Sequence, residues 1–294
     1  MTGRAVAIAG VADGPDWLRL ARPQPDGYDT AVILDLASRT GSLLRQEPWR
    51  QRSAAAPTLF DGRIAVRNRE SGGLPDPPYS PAPTDHPNLA SGEAILRLWP
   101  EAAAQLPELV DTIQPWIDTR MPTSGKHVPG SSSHSLEEEF GIVMVTVDSP
   151  FGLAQALVHE MAHHKLRALG VSLLSAERLV TNDPNELYVS PIIVGHKRPM
   201  TAVLHAQYSF MHVTALDVAV YRGAGDGSDL REQAVYLLAR NIPRMEAGYD
   251  ELDRHLQTDE DGAAFRSGFM HWSAEVLSAG RAILDAEGYG MPPL

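Results

Sequence analysis

Apolar residues follow three different rhythms along this chain, and each rhythm predicts an element. The segment 139–148, EFGIVMVTVD, is apolar and β-branched almost without interruption, which reads as a buried strand. Asp148-Ser149-Pro150 follows directly, a capping residue ahead of a proline at the first helical position, and Gly170 supplies a stop. Between those signals Leu153, Leu157, Met161, Leu166 and their neighbours make a helix that is apolar on most of its circumference. Beyond it the pattern is helical. A short piece is predicted at 172–179, a connection with three prolines at 182–199, and a long apolar helix at 200–222. Two further helices follow at 229–256, with a kink expected near Pro243, and at 262–288.

The N-terminal half is more broken. An amphipathic helix is predicted over 28–47, with Ala31, Ile33, Leu34, Leu36 and Leu43 on its apolar side. The segment 58–68 reads as a strand or short hairpin about Asp61-Gly62. Six prolines and two glycines in 71–88 predict a surface loop. A helix is expected from about Ser91, as N-cap with Glu93 close behind, to about Trp116 with a break at Pro100. Residues 122–135 are flexible by composition. The expected fold is α+β: mainly α with a small β-sheet, a strand leading into the 150–169 helix, and a helical C-terminal half. A single domain over 1–294 is expected, with 1–120 packed on a core of 135–294, and no repeat of solenoid period is seen.

The 150–169 helix carries the chemistry. ALVHEMAHHKLRAL, residues 156–169, contains His-Glu-x-x-His at His159, Glu160 and His163. Residues four apart share a helix face, so the two imidazoles can meet one ion. Two histidines and a glutamate inside so apolar a helix are costly to bury without partners, and a metal removes that cost. His164 points away from His163's face and reads as a surface or supporting residue. A third ligand is needed for zinc or for non-haem iron. A histidine six residues after His163 is ruled out, because that position is Leu169. Glu186, His205 and His212 are the candidates, and His205, nearer the start of the 200–222 helix, is preferred. His212 reads as a core histidine.

Composition narrows the metal. The chain has no cysteine, which excludes disulfides, thiolate sites and a cysteine nucleophile, so any ion is held by His, Asp, Glu or water. A net charge of -12 disfavours nucleic acid and anionic lipid as partners. With 43% hydrophobic and 21% charged residues, 294 residues suffice for a substantial core. No stretch is apolar enough to span a bilayer, and the N-terminal apolar run is short for a signal segment, so a cytoplasmic protein is expected. Nothing in the sequence fixes the oligomeric state.

Two segments together resemble a known family. LVHEMAHHKL (157–166) looks like a signature of the form apolar-Val-His-Glu-x-x-His-x-Lys-Leu. YVSPIIVGHKRPMTAVLHAQYSFMHV (188–213) looks like a downstream block in which a proline segment leads to Arg-Pro and then to Leu-(His or Gln)-x-x-Tyr-x-Phe. The family is the HExxH-motif peptide-modification proteins, 2-oxoglutarate-dependent peptide β-hydroxylases that mature ribosomally made peptides. The resemblance covers roughly 139–222. It implies Fe(II) and 2-oxoglutarate as cofactors, His159 and His163 as iron ligands and a precursor peptide as substrate. His205 stands where the family has His or Gln, as a ligand or substrate-contacting residue. Arg198, of the Arg-Pro pair, would clamp the distal carboxylate of 2-oxoglutarate, and Tyr208 matches the tyrosine of the helix block, at the cofactor. The family commonly has Trp-Arg soon after the proline, whereas Ile192-Ile193 follows Pro191 here, so the substrate side is expected to differ.

Two reactions use the same motif. In the oxygenase, oxidative decarboxylation of 2-oxoglutarate to succinate drives C–H hydroxylation, and Glu160 has no required proton to move. In a zinc metallopeptidase, Glu160 is the general base. A metal-independent peptide-binding scaffold is the third class.

Overall fold

The computed structural model describes residues 15–39, 56–68, 79–120, 131–136, 139–190, 192 and 195–289. Among the described residues, seven α-helices and a small mixed sheet make an α+β fold with a helical C-terminal half. A short 3-10 turn, Trp17–Ala21, precedes α1 (Tyr28–Arg39). The sheet strands are β1 (Thr58–Leu59), β2 (Ile64–Val66), β3 (Tyr79–Pro81), β4 (Thr112–Asp118), β5 (Ser133–His134) and β6 (Ile142–Thr146). Helices α2 (Pro87–Leu96) and α3 (Pro100–Leu109) lie between β3 and β4. After β6 come α4 (Pro150–Ala168), a small hairpin β7 (Tyr188–Val189) and β8 (Lys197–Arg198), then α5 (Met200–Gly223), α6 (Asp229–His255) and α7 (Glu260–Ala286).

The strand order is β1-β2-β4-β6-β5, with β3 also paired to β4. Strands β2, β4 and β6 are parallel, and β5 runs antiparallel to β6 at the edge. Every residue of β6 is buried, as its unbroken apolar run requires. The 58–68 hairpin forms as expected, with Phe60, Asp61 and Gly62 all at positive φ.

The helix expected from Ser91 to Trp116 is corrected. It starts at Pro87, capped by His86, breaks at Pro100 and ends at Leu109; Trp116 belongs to β4, the central strand. Pro115 is an unusual residue for a central strand. Its carbonyl accepts from Ala82 N (2.9 Å). Its missing N–H faces the same edge, at the joint where β2 gives way to β3. Tyr79–Pro81, expected in a loop, forms a short edge strand, and Ser133–His134 does likewise. No helix forms at 172–179; a Val171–Ala176 bridge closes a turn there. α6 continues through Pro243. The expected tail of the first helix, 40–47, and the segments 71–78 and 122–130 lie outside the described residues.

α4 begins as its sequence dictates. Ser149 Oγ accepts from Gly152 N, Pro150 takes the first turn, and Gly170 at φ 87 turns the chain away. Gly92 lets α2 approach α4 closely, since a Cβ there would stand 2.7 Å from Leu153 Cδ2. Nearly all the buried apolar side chains form one cluster from Trp17 to Leu284. Among the described residues, no helix is long and apolar enough to cross a membrane.

Candidate metal centre

α4 is buried on nearly every side. After Pro150, the positions that are not buried are His159, His163 and Arg167, four residues apart. One stripe of the helix is therefore left open, and it carries the two imidazoles. α5 packs antiparallel against α4 and leaves its own open stripe, Ala206 and Phe210, on the same seam. Phe210 meets His159 edge-on at 5.2 Å between ring centroids.

His159 Nε2 and His163 Nε2 face each other at 3.0 Å. Two nitrogens bound to one ion at ~2.1 Å with bonds near a right angle stand about 3 Å apart, so the pair fits a shared metal. The nitrogens of His159 and His163 and a carboxylate oxygen of Glu160 all lie within 4.8 Å of one another. That places Glu160 nearer the pair than its position one residue along the helix suggests. The Glu160 carboxylate is buried and accepts from Ser135 Oγ at 2.5 Å. Arg167 donates to Ser135 Oγ (3.1 Å), to Ser135 O (3.1 Å) and to Leu136 O (3.2 Å). The chain just after β5 is thus tied to the open stripe.

The imidazoles are held neutral. Burial lowers the His159 pKa against the opposing pull of Glu160. Burial lowers His163 well below the ordinary range, with His159, His205 and Arg167 adding repulsion. Neutral imidazole is the form that binds metal.

His205 lies on the far side of His163. Its Nδ1 stands 2.9 Å from His163 Nδ1, and its Nε2 stands 2.8 Å from the Val171 carbonyl. It is fully buried, its pKa pushed down to about 3 by that burial. Expected as third ligand, it meets the nitrogen of His163 that faces away from His159. Glu186 is exposed in the connection before β7, outside the cluster. His212 is a core histidine as expected: fully buried, Nδ1 bonded to Tyr208 O at 2.9 Å, ring edge-on to Trp272.

Tyr208, expected at the cofactor, is enclosed by protein among Phe265, Phe269 and His212. Arg198 sits in β8, paired with Tyr188, half-buried at the entrance to α5. His164, expected at the surface or in support of the ligands, is fully buried against Phe140. Its pKa falls to about 3, first through burial and then through the Arg167 cation.

Sequence reasoning missed Ser135, Arg167 and Phe210. Arg167 carried a signal, being four residues past His163 on the same stripe. Ser135 carried none. No protein-family model matches the chain, and no curated protein matches it.

Proposed function

We propose that this chain is an Fe(II)- and 2-oxoglutarate-dependent oxygenase that hydroxylates a β-carbon in a ribosomally made precursor peptide. One observation carries the reading: two imidazoles on a helix stripe left open and one buried carboxylate beside them lie within 4.8 Å of one another. Two histidines and a carboxylate are the donor set that suits non-haem iron. His159 and His163 would hold the ion, and Glu160 is the acidic group among the described residues near enough to join them. Ferrous ion with 2-oxoglutarate and O2 supplies the oxidant for C–H hydroxylation, with succinate and CO2 as co-products.

The chain's own groups supply the rest. The two rings bind as neutral bases and shed no proton on loading. Phe210 and Ala206 give the opening an apolar wall that limits water. The Arg198 guanidinium has no hydrogen-bonding or ion-pair partner among the described residues, and it can take the far carboxylate of 2-oxoglutarate bidentately. The β-carbon and the peptide substrate come from the family resemblance of 157–166 and 188–213.

A zinc peptidase is the second reading, favoured by the place of Glu160. Held by Ser135 and close to both nitrogens, its carboxylate can take a proton from a water between them. Reconstitution with Fe(II) or with Zn(II), followed by succinate and peptide-cleavage assays, separates the two. The expected result is succinate that requires Fe(II), His159 and His163, with no zinc-dependent cleavage. Zinc-dependent cleavage that vanishes in Glu160→Gln, with no succinate, overturns the oxygenase in favour of the peptidase. Absence of any bound divalent ion removes both.

A further inference from the structure

The hydrogen-bond chain behind His163 assigns a task to a residue that the ligand search would have spent on the metal. A backbone carbonyl only accepts, so the 2.8 Å contact with Val171 O puts the His205 proton on Nε2. In the neutral ring Nδ1 is then a bare acceptor. Its 2.9 Å contact with His163 Nδ1 requires the proton of that contact to come from His163. His163 therefore carries its proton on Nδ1 and presents a bare Nε2 lone pair toward His159. The order of donors runs from His163 to His205 to Val171, in one direction, with no bond left over.

From this geometry we infer that His205 is a positioning residue, which holds His163 in the tautomer and ring orientation that a metal requires, and is not itself a ligand. The inference rests on the metal-centre reading above. An imidazole ligand whose other nitrogen donates to a fixed acceptor is oriented and made more basic by it. Here the acceptor is another imidazole, anchored in turn by the turn that ends α4. That turn is stapled to α5 a second time, where Thr201 Oγ1 donates to Leu173 O at 2.9 Å. Both His205 neighbours are thus fixed to the same two helices, and His205 is fully buried, where water cannot substitute for it.

Glutamine offers the same pair of functions: an amide oxygen to accept from His163 Nδ1–H, and an N–H to reach the Val171 carbonyl. The test uses the full chain with Zn(II) or Co(II) as the probe. Expected are the same number of imidazoles around the ion in wild type and in His205→Ala by X-ray absorption, an affinity about 10–100-fold weaker in His205→Ala, and recovery of most of that loss in His205→Gln. Loss of one imidazole from the shell in His205→Ala overturns the inference, as does an unchanged affinity. Should His205→Ala not fold, nitrogen NMR of the metal-free wild type decides. His163 protonated on Nδ1 and His205 on Nε2 support the inference, and the opposite tautomer on His163 refutes it. A wild type that binds neither ion sinks the oxygenase and peptidase readings together, while the NMR result still judges the tautomers.

Discussion

Two polar clusters sit on the same pair of helices, and only one of them faces outward. His163 and Lys165 are two residues apart on α4. His163 lies on the open stripe with His159. Lys165 points into the core, where its ammonium meets Asp29 of α1 at 3.1 Å with both side chains fully buried. Gln105 of α3 donates to Asp29 Oδ2 and to Thr30 Oγ1, and Gln24 N donates to Asp29 Oδ1. Tyr208 of α5 closes the cluster, its ring 5.9 Å from the Lys165 ammonium. The sealed cluster has partners for its charges; the open one has two ring nitrogens turned toward each other. A buried polar group completed by the protein is architecture. A polar group that the protein orients and leaves incomplete at an opening is a site for something else.

The largest effect expected from breaking this contrast is at Lys165. Lys165→Met strands the Asp29 carboxylate in the core, and denaturant unfolding should show a loss of about 3–5 kcal/mol. Acid comes next. Unfolded histidine titrates near 6.5, whereas His164 in the folded chain titrates at about 3. Between those values the unfolded chain binds the extra proton, so stability must fall as pH drops through that window. The slope is about 1.4 kcal/mol per pH unit for this one ring. His164→Leu should flatten the measured pH dependence of the metal-free protein by that share. The smallest change in stability belongs to the open cluster. His163→Ala in metal-free protein should cost about 1–3 kcal/mol, since the ring itself is partly exposed but its loss leaves the buried His205 Nδ1 without a donor. Yet it should abolish divalent-ion binding by calorimetry. A large stability loss at His163, or a small one at Lys165, would erase the distinction.

The sequence made the open cluster easier to read than the sealed one. His159 and His163 announce themselves because their spacing matches a helical turn, and β6 and α5 because their apolar runs are long. Lys165 and Asp29 are 136 positions apart, a pairing that no local pattern encodes. His205 was legible as a buried histidine in need of a partner, but not as one facing the back of His163, because that depends on how α5 lies against α4. β4 was hidden for a local reason. Pro115 speaks against a central strand, and it falls where the neighbour of β4 changes from β2 to β3. Tyr208 matched a motif, and packing took it into the core.

The antiparallel seam between α4 and α5 has a further consequence. Gln155 donates to Asp217 at 2.7 Å near one end, and Asn241 of α6 donates to the same carboxylate at 3.2 Å. His163 and His205 join the helices eight residues further along α4, about 12 Å away. Neither helix can slide past the other without tearing one of these two fastenings. Since α5 aims both rings, through Phe210 and His205, damage at Asp217 should be transmitted to the imidazoles as a misalignment, although it touches neither.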